Sequence, residues 1–71
     1  MENTKNDNYH YKSGFRLTNG ALVLLGKQGV CLAMFKGQFV TWATNPEGET
    51  FWGHYFGENL KEALQDFEER R

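Results

Sequence analysis

Turn chemistry constrains this chain more than any other feature. Four short stretches punctuate its middle: Asn19-Gly20, "GKQG" at 26–29, Lys36-Gly37 and "NPEG" at 45–48. Asn-Gly is a strong two-residue hairpin signal. Lys-Gly offers a second such turn, and Pro46 stands where a type I or II turn prefers proline. Between the turns lie five runs, 14–18, 21–25, 30–35, 38–44 and 49–56, which read as strands of an antiparallel meander.

The turn lengths also predict which residues oppose each other. Opposed residues share a sheet face and neighbours along a strand alternate. A loop closing on Thr44 and Glu49 sets Trp42 against Phe51 and Val40 against Gly53. A Lys36-Gly37 turn sets Ala33 against Val40 and Cys31 against Trp42, while the two earlier loops pair Leu24 with Cys31 and Leu17 with Leu22. One face then carries Phe15, Leu17, Leu22, Leu24, Cys31, Ala33, Phe35, Val40, Trp42, Phe51, Gly53 and Tyr55. The second carries Arg16, Val23, Leu25, Val30, Leu32, Met34, Phe39, Thr41, Trp52 and His54, mostly apolar with polar residues interspersed. A one-residue slip at any turn exchanges entries between the two.

The C-terminal stretch "NLKEALQDFEERR" has a different period. Leu60, Ala63, Leu64 and Phe67 form one helical stripe, with Asn59 as N-cap and Glu62 three residues on. Arg70 and Arg71 suit the negative end of the helix, and Asp66 and Arg70 stand at i,i+4 spacing. The expected fold class is α+β: an antiparallel meander of four to five strands with one C-terminal helix packed on one face. The first face is the expected partner, because its small residues leave room for a close approach.

Five strands at about 4.8 Å spacing make a sheet roughly 20–24 Å wide. One helix is about 10 Å across, so it covers half of one face and none of the other. The second face would then expose an apolar area on the order of a few hundred Å², at or above what a soluble monomer usually shows. That points to association through Met34, Phe39, Trp52 and His54, the candidate partner-binding residues, with a homodimer as the simplest use. Trp42 is expected to face inward and Trp52 outward, as an interface anchor beside Phe39 and His54.

Domain organisation is simple. Residues 1–8, "MENTKNDN", are polar without apolar periodicity and read as a disordered start; 9–71 reads as a single small domain. Tyr9–Lys12 is a segment that could fold over part of the sheet. No charged-then-apolar leader and no apolar run of membrane-spanning length is visible, so the expectation is a cytoplasmic protein with no membrane association. Cys31 is the single cysteine, inside the apolar run "GVCLAMF", and reads as a small buried hydrophobe.

The chemistry of the chain argues against an enzyme. His10 and His54 are the two histidines, and neither has a Cys, Asp or His at ligand spacing. No phosphate-loop pattern occurs, and Ser13, the one serine, has no partner nearby in sequence. No cofactor, metal or catalytic residue is expected. The net charge is −1, and Lys12, Arg16, Lys27 and Lys36 are scattered rather than clustered, which argues against nucleic acid as partner.

Two resemblances accompany this reading. "FVTW…GHYF…LKEALQDFEER", within residues 39–71, resembles short bacterial proteins of phage and other mobile elements. That resemblance implies no assigned activity, and roles in host takeover or counter-defence exercised by binding a protein. "GHYFGENLKEALQDF" is similar to the last strand and helix of AP2-type DNA-binding domains, in which a three-stranded sheet packs on a C-terminal helix. Those domains read DNA with Arg- and Trp-rich strands. Here residues 30–56 offer Lys36, Trp42 and Trp52, so no base-contacting residue carries over. The function expected is thus a small non-enzymatic protein-interaction or regulatory module, for which the first resemblance implies a mobile-element origin, with a nucleic-acid-binding sheet-plus-helix module as the alternative.

Overall fold

A computed structural model describes residues 11–70. The expected disordered start at 1–8 lies outside the described residues, as do Tyr9, His10 and Arg71. Four strands, β1 (Leu22–Lys27), β2 (Val30–Phe35), β3 (Gln38–Thr44) and β4 (Thr50–Tyr55), precede one helix, α1 (Leu60–Glu69). The strands form one antiparallel sheet in the order β1-β2-β3-β4, so β1 and β4 are its edges. This is the α+β meander expected from the turns and the helical stripe.

The β2–β3 hairpin has the expected register: Ala33 opposes Val40 and Cys31 opposes Trp42. Its turn places both Lys36 and Gly37 at positive φ, 52° and 82°, the geometry that matches the twist of a tight hairpin. The flanking hairpins differ from expectation. β1 runs on to Lys27, which opposes Val30, so the loop is the two-residue Gln28-Gly29 rather than all of "GKQG". A bulge between Val23 and Leu25 then sets Val23, not Leu22, against Ala33. Because side chains alternate, that slip moves Val23 onto the face of Ala33 and Val40 and sends Leu24 to the other side.

The run 14–18 is not a fifth strand. A single bridge, Arg16 with Leu22, joins it to β1, and Leu17 accepts no strand pairing with Leu22 but donates to the Ala21 carbonyl at 2.8 Å. Residues 11–21 instead form a strap over the first sheet face. Leu17 and Ala21 are buried there with Val23, Cys31, Ala33, Val40 and Trp42, and Tyr11 and Phe35 pack around them. The Tyr11 main chain lies directly on Gly26, where any Cβ would overlap the Tyr11 carbonyl. At the far end the Tyr11 hydroxyl donates to the Asn45 carbonyl at 2.5 Å and Thr18 Oγ1 to the Gly48 carbonyl at 3.2 Å, tying the strap to the β3–β4 turn.

The helix therefore takes the second face, not the first. Ala63 and Phe67 bury against Val30 and Leu32, with Leu24, Phe39, Phe56 and Leu64 around them. The small residues of the first face do permit a close approach, but the strap and the Trp42 indole make it. Asn59 caps the helix as expected, accepting from the Glu62 amide at 3.1 Å. No helix among the described residues is long and apolar enough to cross a membrane.

Candidate functional site

With one face under the strap and the other under the helix, three of the four exposed large aromatics among the described residues, Phe51, Trp52 and Tyr55, gather at the β4 edge. The apolar stripe of the helix rests on β2 and β3, and among the described residues no strand pairs with the outer edge of β4. Its turn-side half pairs Thr44 with Thr50 and Ala43 with Phe51; its far half pairs Thr41 with His54 and Val40 with Tyr55. The loop 45–49 is one residue longer than "NPEG", closed by the Asn45 amide on the Glu49 carbonyl at 3.3 Å and by Asn45 Oδ1, which accepts from the Glu47 and Glu49 amides. An extra residue at Trp52–Gly53 forms a bulge between the two halves. Val40 thus opposes Tyr55 rather than Gly53, and Phe51 moves to the helix side of the sheet beside Ala43.

Trp52 occupies the bulge with φ of 52°, a left-handed conformation uncommon for any residue with a bulky side chain, and is 78% exposed. Its ring lies 6.1 Å from that of Phe51, itself 41% exposed. Tyr55, on the opposite face of the strand, is also exposed and meets the buried Trp42 edge-on at 6.2 Å. Trp42 fills the space over Gly53, so the strand's inner side is closed while its rim carries three aromatic rings.

Behind this rim a polar cluster joins β3, β4 and α1. Thr41 Oγ1 donates to Asp66 Oδ2 at 2.5 Å, and His54 Nδ1 meets the same oxygen at 2.9 Å. Arg70 bridges the cluster to the bulge: Nη1 donates to Thr41 Oγ1 at 3.1 Å and Nη2 to the Trp52 carbonyl at 2.7 Å. Burial opposes charge on Asp66, but the hydrogen bonds from Thr41 and His54 and the charges of His54 and Arg70 outweigh it and hold the carboxyl below its ordinary value. The expected Asp66–Arg70 ion pair gives way to this arrangement, in which both residues converge on Thr41. The Thr41 hydroxyl points at the carboxylate rather than at the imidazole, so the cluster has the form of a fastening between helix and sheet.

The four residues expected to share one open surface are separated. Met34 and Phe39 oppose each other across β2 and β3. Phe39 packs into the helix-side core, and its amide and carbonyl pair with Gly57 and Phe56 at the helix approach. Trp52 and His54 lie on the open edge, Trp52 outward and His54 against Asp66. An uncovered second face centred on these four is therefore corrected: the helix covers its middle. Sequence reasoning did not bring Phe51, Thr41, Asp66 and Arg70 into this site. The available signal was the position of Asp66 and Arg70 beside the Ala63/Phe67 stripe, where a helix meets the rim of its sheet.

Comparison with protein-family models, with curated proteins and with solved structures gives no match to this chain. The two resemblances in the sequence stay resemblances.

Proposed function

We propose that this is a small non-enzymatic protein-interaction module that binds a partner protein through its β4 edge, with Trp52 as the anchor. The observation that carries this reading is the exposure of Trp52 on a bulged edge strand whose backbone is tied to the helix. Large aromatics concentrate binding energy when a partner buries them, and exposed ones in fixed geometry are unusual on a surface with no use for them. The bulge also breaks the regular edge, so recognition rests on side chains more than on added strand pairing.

Area decides between a second copy and another protein. Trp52, Phe51 and Tyr55 together expose roughly 350–400 Å², given 150–250 Å² for a whole aromatic side chain. A stable interface buries about 800 Å² on each partner. Two such edges meeting symmetrically give weak self-association; a partner that also covers the polar surroundings of the edge reaches the required area. In this reading the module works in the cytoplasm, and the resemblance to phage and mobile-element proteins points to a regulatory or counter-defence role.

Nucleic acid is the alternative, since exposed aromatics also stack bases. Four cations are engaged within the molecule: Arg70 in the cluster above, Arg16 on the Gly20 carbonyl, Lys27 on the Glu68 carbonyl and Lys36 over the Phe35 ring. Affinity purification with the wild-type chain and with Trp52→Ala tests the reading, with circular dichroism as the control for folding. A partner protein captured by the first and lost with the second is the expected result. Undiminished capture by Trp52→Ala, or binding to nucleic acid that collapses with added salt, overturns it.

A further inference from the structure

We infer that Arg70 is a positioning residue that holds Trp52 outward, and that β4 has a second register in which this side chain is withdrawn to the helix side of the sheet. The functional meaning rests on the reading of Trp52 as an anchor; the conformational claim stands on its own geometry.

The two halves of β4 keep different registers, and the bulge reconciles them. Suppose the far-half register, Thr41 with His54 and Val40 with Tyr55, continued unbroken toward the turn. Trp52 would then oppose Ala43, the position now held by Phe51, and Gly53 would oppose Trp42. Ala43 shares its sheet face with Thr41, which touches Asp66 and Arg70 of the helix. Trp52 would thus leave the rim and lie on the helix side, while Phe51 would cross to the face of Thr44. The loop would lengthen by a single residue, which costs a flexible connection little.

Opposing forces act on this choice. A left-handed conformation is disfavoured for Trp by roughly tenfold or more, and the unbroken register would relieve it. The Asn45 hydrogen bonds favour the shorter loop, and Arg70 favours the bulge by donating to the Trp52 carbonyl. Arg70 does so while its other terminal nitrogen holds Thr41, a two-pronged contact suited to the guanidinium fork. The Trp52 carbonyl, the Thr41 hydroxyl and the side chain of Arg70 together form a latch between the helix end and the exposed anchor.

The test is nuclear magnetic resonance on the full chain, following cross-strand contacts of Ala43, together with acrylamide quenching of tryptophan emission. In the wild type Ala43 should contact Phe51. In Arg70→Ala, contacts from Ala43 to Trp52 should appear and quenching should fall at least twofold; Arg70→Lys, with one ammonium for two acceptors, should lie between. Adding Trp52→Gly to Arg70→Ala should restore the Ala43–Phe51 pairing, because glycine accepts the left-handed conformation without penalty. Should Arg70→Ala fail to fold, Arg70→Gln carries the same comparison. An unchanged Ala43–Phe51 pairing and unchanged quenching in the folded variant overturn the latch. None of these readouts uses a partner, so they fail separately from the interaction reading, which fails when Trp52→Ala leaves binding intact.

Discussion

Gly53 and Trp42 fit together with no space for a side chain between them. A Cβ at Gly53 would stand 2.6 Å from Trp42 Nε1 and 2.9 Å from its Cδ1, and equally close to the Tyr55 ring. The indole is itself wedged against Phe35 at 5.3 Å and is buried in the strap-side core, so it has little freedom to yield. Gly53→Ala should therefore cost about 1–3 kcal/mol by overpacking. Thermal unfolding checks this, and a melting temperature equal to that of the wild type would mean that the indole moves aside.

Phe67 tests the docking of the helix on the second face. It is buried with Ala63 against Val30 and Leu32, and Lys27 Nζ lies 4.8 Å from the centre of its ring. Phe67→Ala should lower stability by about 3–5 kcal/mol, a large share of what a domain of this size has. Phe67→Asp should cost more still, since it replaces the buried ring by a carboxylate against the apolar side chains of Val30 and Leu32. Denaturant titration followed by circular dichroism provides the measurement.

Asp66 makes stability depend on pH in a defined direction. Its carboxyl is held below its ordinary 3.8 in the folded state. A depressed value means that the charged form stabilises the fold above the ordinary carboxylate range, and that this contribution disappears as pH falls through the folded value. Asp66→Asn should lose about 1.5–3 kcal/mol at pH 7, the usual size for hydrogen bonds to a charged group. The gap to the wild type should narrow on acidification below the ordinary value. Urea unfolding of both proteins at neutral and acid pH decides it, and a gap that stays constant would show that Asp66 acts without its charge.

Cys31 should be chemically silent until the fold opens. Burial pushes its thiol up to about 11, with the Trp42 backbone and the Arg70 charge opposing only in part. It is fully buried in the strap-side core. A thiol reagent at pH 8 should label the native protein at the rate of unfolding, and Gly26→Ala, which pushes on the strap, should speed that labelling. Rapid labelling of the folded wild type would contradict this placement.

Local chemistry alone determined the elements: Lys36-Gly37 the β2–β3 hairpin and its register, Asn59 the start of the helix, and the Leu60/Ala63/Leu64/Phe67 stripe its need for a sheet. These are interactions between residues close in sequence, so spacing and residue type suffice to find them. The choice of face was a matter for the tertiary structure. Both faces of the sheet are largely apolar, so alternation of side chains did not distinguish them. What distinguished them was Tyr11 lying on Gly26 and Leu17 reaching the Cys31 side, contacts that excluded the helix from that face. The bulges at Leu24 and Trp52 belong to the same class. Each inserts one residue without a turn signal, because what stabilises it is a contact from elsewhere: for Trp52, the guanidinium of Arg70, eighteen positions along the chain.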